Sequence, residues 1–127
     1  MTSAMEKRVF LVEDSATVRT YLSLGFAERE GIEVVAYAET EHSAIAWMKA
    51  HPADWTCAVV DMFLKEGTGL GVLAACREIR QPGQTIVVLT NHATADLRDR
   101  CLRLGADAFF DKASETDALV AFCAARG

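Results

Sequence analysis

Five times along the chain, a short run of β-branched or aromatic residues gives way to a longer stretch whose apolar residues recur at helical spacing. The short runs are VFLV ahead of Glu13, IEVVAYA from Ile32, TCAVV after Trp55, IVVL after Thr85 and AFF from Ala108. Between them Val18, Leu22 and Phe26 mark one helix face, which Asp14 or Ser15 is placed to cap. Ala44, Trp47 and Met48 mark a second that stops before Pro52; Leu70, Leu73, Ala74 and Ile79 mark a third that ends at Pro82-Gly83. Leu97, Cys101, Leu102 and Leu104 mark a fourth, closed by Gly105; Leu119, Val120, Phe122 and Cys123 mark the last, with Ser114 as its expected N-cap. Strands that alternate with helices call for parallel pairing, because each parallel crossover needs a helix and winds right-handed. Near-continuous apolar strands such as CAVV and IVVL suit burial on both faces. The predicted architecture is a doubly wound α/β domain, a (βα)5 sandwich.

Composition narrows what such a domain does. The chain has 127 residues, 51% of them hydrophobic, enough to bury one core and too apolar for a disordered chain. Thirteen Lys and Arg against 18 Asp and Glu leave a net charge of −5, the wrong sign for direct nucleic-acid binding through phosphates. No apolar run approaches the roughly 20 residues that span a bilayer, so no membrane insertion is expected. The opening MTSAMEKR lacks the apolar core of a signal peptide, which predicts a cytoplasmic protein. Cys57, Cys76, Cys101 and Cys123 are separated by at least 18 residues and lie among apolar neighbours. They read as small buried hydrophobes rather than metal ligands, and the scattered His42, His51 and His92 carry no ligand spacing either.

In a parallel sheet all strand C-terminal ends lie on one edge, and ligands bind there. Glu13 and Asp14 follow the first strand, Asp61 the third and Thr90 the fourth, and Lys112 comes two residues after AFF. The remaining strand ends in Glu39 and is the natural edge strand. Any one of these residues has an ordinary explanation: Asp14 as a helix cap, Lys112 as a solvated side chain. Together they are more demanding, because three carboxylates forced close raise one another's pKa values unless a cation compensates. Hard oxygen ligands suit Mg²⁺. A lysine and a hydroxyl at the neighbouring strand ends complete a place for a phosphoryl group, with one carboxylate free to attack it in line.

These residues resemble the phosphoacceptor receiver domains of two-component response regulators, similar to the chemotaxis (CheY-like) type, from about Lys7 to Ala124. VFLVEDSATVR resembles the family's first strand with its acidic pair, AVVDMFL the third with its phosphorylated aspartate, VVLTNHA the switch threonine, and GADAFFDK the fifth strand with its lysine. The resemblance implies a flavodoxin-like five-stranded sheet in the order 2-1-3-4-5. It implies that Asp61 is nucleophile and phosphoacceptor, and that Asp14, Asp61 and the Phe63 backbone carbonyl hold Mg²⁺, with Glu13 acting mainly through water. Lys112 would pair with the acyl phosphate, Thr90 would swing in to hydrogen-bond it, and Phe109 would turn into the vacated space. The implied partners are a histidine kinase or histidine phosphotransfer protein, and a downstream protein that reads the face made by the fourth helix, fifth strand and fifth helix. Such a domain works as a monomer or a phosphorylation-dependent dimer, and catalyses only its own phosphorylation and dephosphorylation.

Several residues depart from the family pattern. Ala113 follows Lys112 where a cis proline is usual, which predicts a trans loop or strain there. Lys65 replaces a proline after the acceptor, which predicts a more mobile loop, and Asn91 replaces a very small residue. Phe63 and His92, each two residues beyond a site residue, occupy positions that modulate attack by water; the bulk of Phe63 predicts slow dephosphorylation. Phe109 replaces the common tyrosine. Gly67-Thr68-Gly69-Leu70-Gly71 lacks the Lys-Ser/Thr of a phosphate loop and reads as flexibility ahead of the third helix. Arg98, Arg100 and Arg103 read as a solvated helix face, or more sharply as a docking surface.

Other classes fit less well. A haloacid-dehalogenase-type aspartyl-phosphate phosphatase wants a second aspartate two residues after the nucleophile, where this chain has Phe63. A flavin or nucleotide carrier wants a Ser/Thr/Gly-rich loop where this chain has the acidic EDSATVR. A phosphate-independent pseudo-receiver sits poorly with a complete residue set. The expected organisation is one receiver domain over residues 1–127 with no output domain.

Overall fold

Each predicted strand and helix forms, and their order is strictly alternating. The computed structural model describes residues 7–125; the expectations about the opening residues and the outer domain limits lie outside the described residues. The strands are β1 (Lys7–Val12), β2 (Ile32–Ala38), β3 (Cys57–Val60), β4 (Thr85–Thr90) and β5 (Ala108–Asp111). The helices are α1 (Ala16–Ala27), α2 (Glu41–Ala50), α3 (Gly69–Ile79), α4 (Ala95–Arg103) and α5 (Thr116–Ala125). All strand pairs are parallel, in the order β2-β1-β3-β4-β5, so β2 is an edge strand as its Glu39 terminus implied.

Alternation along β1 shows how the two faces are filled. Val9 and Leu11 point to one side with Leu22, Phe26, Leu119 and Val120 from α1 and α5. Phe10 and Val12 point to the other, with Met48, Leu73, Cys76 and Cys101 from α2, α3 and α4. Every residue of β3 and β4 is buried, as strands covered on both faces must be. All four cysteines are buried, and burial pushes the thiols of Cys76 and Cys101 up to about 11.

Local details correct two expectations. Leu102, placed on the buried face of the fourth helix, is 38% exposed; α4 buries only Cys101 and is otherwise polar. Helix α5 opens at Thr116, so Ser114 is not its cap. The residues ahead of α5 are organised by Asp111 instead, whose side chain accepts from the Ala113 N–H at 2.8 Å and whose carbonyl accepts from the Glu115 N–H at 2.8 Å. No helix among the described residues is long and apolar enough to cross a membrane.

Candidate functional site

Because β1, β3, β4 and β5 run in parallel, their exits bring residues 13–14, 61–63, 90–92 and 112 to one edge. A cleft of about 270 Å³ opens there, lined by Glu13, Asp14, Asp61, Phe63, His92 and Lys112 among others. The backbone sets their positions. Glu13 N–H donates to the Ala38 carbonyl and Asp61 N–H to the Val12 carbonyl, both at 2.9 Å, while Lys112 N–H donates to the Thr90 carbonyl at 2.8 Å. Ser15 caps α1, accepting from Val18 N–H at 3.2 Å, so the chain turns sharply after the acidic pair.

The side chains then meet. Lys112 Nζ lies 2.8 Å from Glu13 Oε1 and 3.0 Å from Asp61 Oδ2, with all three side chains largely buried. Glu13 Oε2 also accepts from the Ser15 N–H at 2.9 Å. Burial pushes the Glu13 carboxyl above the ordinary carboxylate range; the Lys112 and Ser15 hydrogen bonds oppose that rise, and the charge on Asp61 adds to it. Burial by itself would lower the Lys112 ammonium, but its hydrogen bonds to Glu13 and Asp61 and their charges outweigh it, and its pKa is raised. One oxygen from each of Glu13, Asp14 and Asp61 lies within 4.8 Å of the others, a set of hard donors that fits a small divalent cation such as Mg²⁺. Asp14 is exposed, leaving the cluster open to solvent on one side.

Not every predicted residue lines the cleft. Thr90 is fully buried at the end of β4, and its Oγ1 accepts from the His92 N–H at 3.2 Å. Phe109 is 7% exposed and packs with the core on the α2, α3 and α4 side. Beside it, a hollow of about 420 Å³ is lined by Thr94, Arg98, Asp111 and Glu115. Phe63 is 53% exposed at the mouth of the cleft, its ring 4.4 Å from that of His92.

The expected loosening after Asp61 is replaced by anchoring. Lys65 N–H donates to the Glu39 carbonyl at 3.1 Å, a bond that proline has no hydrogen to make. The glycines that follow sit in close approaches rather than in open loop: a Cβ at Gly69 would lie 2.2 Å from the Asp61 carbonyl oxygen. The Lys112–Ala113 bond is trans, since no cis peptide bond occurs among the described residues. Sequence reasoning missed Arg19, whose guanidinium donates to the Glu13 carbonyl at 2.9 Å and to Glu39 at 3.1 Å, and stacks over Tyr37. Its only sequence signal is an arginine in the first turns of α1, a single cation beside acidic strand ends.

Comparison with known proteins places this geometry. The sequence matches the response regulator receiver domain over residues 9–124. It is 33% identical over 125 residues to a probable transcriptional regulatory protein of Picosynechococcus, covering 93% of this chain and 48% of that protein. It is 29% identical over 122 residues to the photosynthetic apparatus regulatory protein RegA of Cereibacter sphaeroides, covering 96% of this chain and 64% of RegA. The chain thus spans less than two thirds of the length of both relatives. Among solved structures, CheY in the CheX–CheY–BeF3–Mg complex of Borrelia burgdorferi is similar with a TM-score of 0.81 at 20% identity, over 91% of this chain and 84% of that one. The signal receiver domain of NarL from Mycobacterium tuberculosis is similar with a TM-score of 0.80 at 24% identity, over 94% and 96%. With sheet order 2-1-3-4-5, an acidic cluster at the strand exits and a family match over nearly its whole length, this chain belongs to the response regulator receiver domains of two-component signalling.

Proposed function

We propose that the domain takes a phosphoryl group from a phosphohistidine donor onto Asp61 and carries the signal on its own surface. The observation that carries this reading is the convergence of Glu13, Asp14, Asp61 and Lys112 in one cleft. An Asp61 carboxylate oxygen attacks phosphorus in line, the P–N bond to the donor histidine breaks, and the imidazole leaves with that electron pair. Lys112 already donates to Asp61 Oδ2 and is positioned to neutralise the phosphoryl oxygens as they arrive. Glu13, Asp14, Asp61 and the Phe63 carbonyl would hold Mg²⁺, which supplies charge neutralisation on the phosphoryl group when bound. Solved receivers of the same fold offer support: one from Burkholderia pseudomallei carries a phosphorylated aspartic acid with calcium, and the Borrelia complex contains BeF3 and Mg.

Thr90 Oγ1, which accepts from the His92 N–H, would turn to donate its hydroxyl to a phosphoryl oxygen, and Phe109 would move into the space it leaves. That couples Asp61 to the α4-β5-α5 face, where a downstream protein would read the change. Carrying the face from about 1:99 to 99:1 requires phosphorylation to favour one state by roughly 5.5 kcal/mol. The donor is a histidine kinase or histidine phosphotransfer protein, and the domain acts in the cytoplasm as a monomer or a phosphorylation-dependent dimer. The test is incubation with Mg²⁺ and a small acyl phosphate, read by intact mass. One Mg²⁺-dependent phosphoryl gain that disappears in Asp61→Asn is expected; its persistence in that variant, or no gain in the wild type, refutes the reading.

A further inference from the structure

The turn between β2 and α2 grips both segments that build the acidic cleft. The Glu39 carbonyl accepts from Lys65 N–H, Glu41 N–H donates to the Glu66 carbonyl at 3.0 Å, and Thr40 and Glu66 form an isolated parallel bridge. On the other side, Arg19 ties the Glu39 carboxylate to the Glu13 carbonyl. Glu41 reaches furthest into the β3–α3 segment: its Oε1 accepts from Thr68 N–H at 2.9 Å, where Thr68 caps α3. There a carboxylate satisfies a backbone donor and faces the positive end of the helix.

Two glycines make the room. A Cβ at Gly67, whose φ is +79°, would lie 2.4 Å from the Glu41 Cβ, and a Cβ at Gly71 would lie 2.2 Å from Glu41 Oε2. Gly69, between them, packs on the carbonyl of Asp61 itself, and its N–H donates to the Met62 carbonyl at 3.0 Å. The Gly-Thr-Gly-Leu-Gly run is therefore a cradle for one side chain, pressed against the acceptor's own backbone.

We propose that Glu41 is a positioning residue for the acceptor site: its carboxylate clamps the Phe63–Thr68 segment and so fixes the Phe63 carbonyl beside Asp61. The inference rests on the phosphoacceptor reading above. It makes the β2–α2 turn an outer brace that orients groups it never touches directly.

Gly71→Ala supplies an unusual test, because the atoms nearest its new methyl are the far end of the Glu41 side chain, while alanine favours the helix. Glu41→Ala, Gly71→Ala and the double variant are compared by calorimetric Mg²⁺ titration, by phosphorylation with acetyl phosphate, by thermal melting and by the amide resonance of Phe63. Each single substitution is expected to weaken Mg²⁺ binding roughly tenfold, the low end for outer groups that orient ligands. The double variant is expected to be no worse than Glu41→Ala, since no carboxylate remains for the methyl to displace. Glu41→Gln, which keeps an acceptor oxygen, restores most of the affinity. Wild-type affinity in both single variants, or additive losses in the double, overturns the proposal. The Phe63 resonance separates the two readings: it shifts alike in both singles if the clamp exists and stays put if it does not, whatever the wild type does with Mg²⁺.

Discussion

Gly69→Ala sets helix propensity against close packing, and the two predict opposite signs. Gly69 opens α3, where alanine would ordinarily gain up to about 1 kcal/mol. Yet the added Cβ would stand 2.2 Å from the Asp61 carbonyl oxygen, 2.9 Å from its carbon and 2.5 Å from Met62 Cε. Ordinary contact begins near 3.4 Å, so the carbonyl must retreat by 3.4 − 2.2 = 1.2 Å. The methionine tip can rotate away; the backbone of Asp61, hydrogen-bonded to Val12 at the end of β3, cannot. Such overpacking costs about 1–3 kcal/mol, at the upper end here because main chain must move. Net of the helix gain, about 2 kcal/mol is lost, and at about 4 °C per kcal/mol for a domain of this size the melting temperature falls by about 8 °C. Differential scanning calorimetry of Gly69→Ala beside Gly71→Ala measures it, with the second variant expected to melt close to the wild type, because its helix gain is offset by the displaced Glu41–Thr68 hydrogen bond. A Gly69→Ala protein that melts as high as the wild type refutes the steric reasoning. Phosphorylation of that variant should fall with its stability, since the displaced atom belongs to the acceptor.

Glu13→Gln is expected to raise the melting temperature at neutral pH while weakening Mg²⁺ binding about 10–100-fold, as for a group that acts on the metal through water. Burial holds the Glu13 pKa above its unfolded value, so the folded state keeps its proton longer and stability falls as pH rises from the ordinary carboxylate range through the raised value. The gain of the Gln variant should therefore vanish in acid, and melting curves from acid to neutral pH test the sign. Phe63→Asn, which removes the ring tilted against His92, should speed loss of phosphate severalfold in a mass-resolved chase; an unchanged half-life counts against shielding. Native protein should resist thiol reagents at mildly alkaline pH and expose all four cysteines on denaturation, because burial holds Cys76 and Cys101 at about 11. Rapid native labelling of either would contradict their burial.

What the sequence made legible follows from what leaves a periodic or positional trace. Strand-to-helix alternation gave the sheet, and the residue after each apolar run gave Glu13, Asp14, Asp61 and Thr90, because parallel strands share one exit edge. The Glu41 clamp left no such trace: its partner Thr68 lies 27 residues away on another loop, and neither is at a strand end. Lys65 looked like a missing proline, when what matters is the N–H it brings to Glu39. Leu102 fits the apolar spacing of α4, but that helix buries too narrow a stripe to cover it. Phe109 followed from the resemblance alone, and nothing in AFF says which of its rings enters the core.

The cleft is assembled from β1, β3 and β5 exits separated by some fifty residues each, the Lys112–Asp61 contact alone closing 51. No contiguous fragment contains it. A ligand that needs these groups together therefore binds only the finished sheet, and its binding free energy adds directly to the stability of the whole domain, as RT ln(1 + [L]/Kd). Truncations and circular permutants that break one strand exit should lose binding completely rather than by degrees. Cleft occupancy thereby doubles as a gauge of completed folding, sensitive to the last and slowest long-range pairing rather than to any single helix.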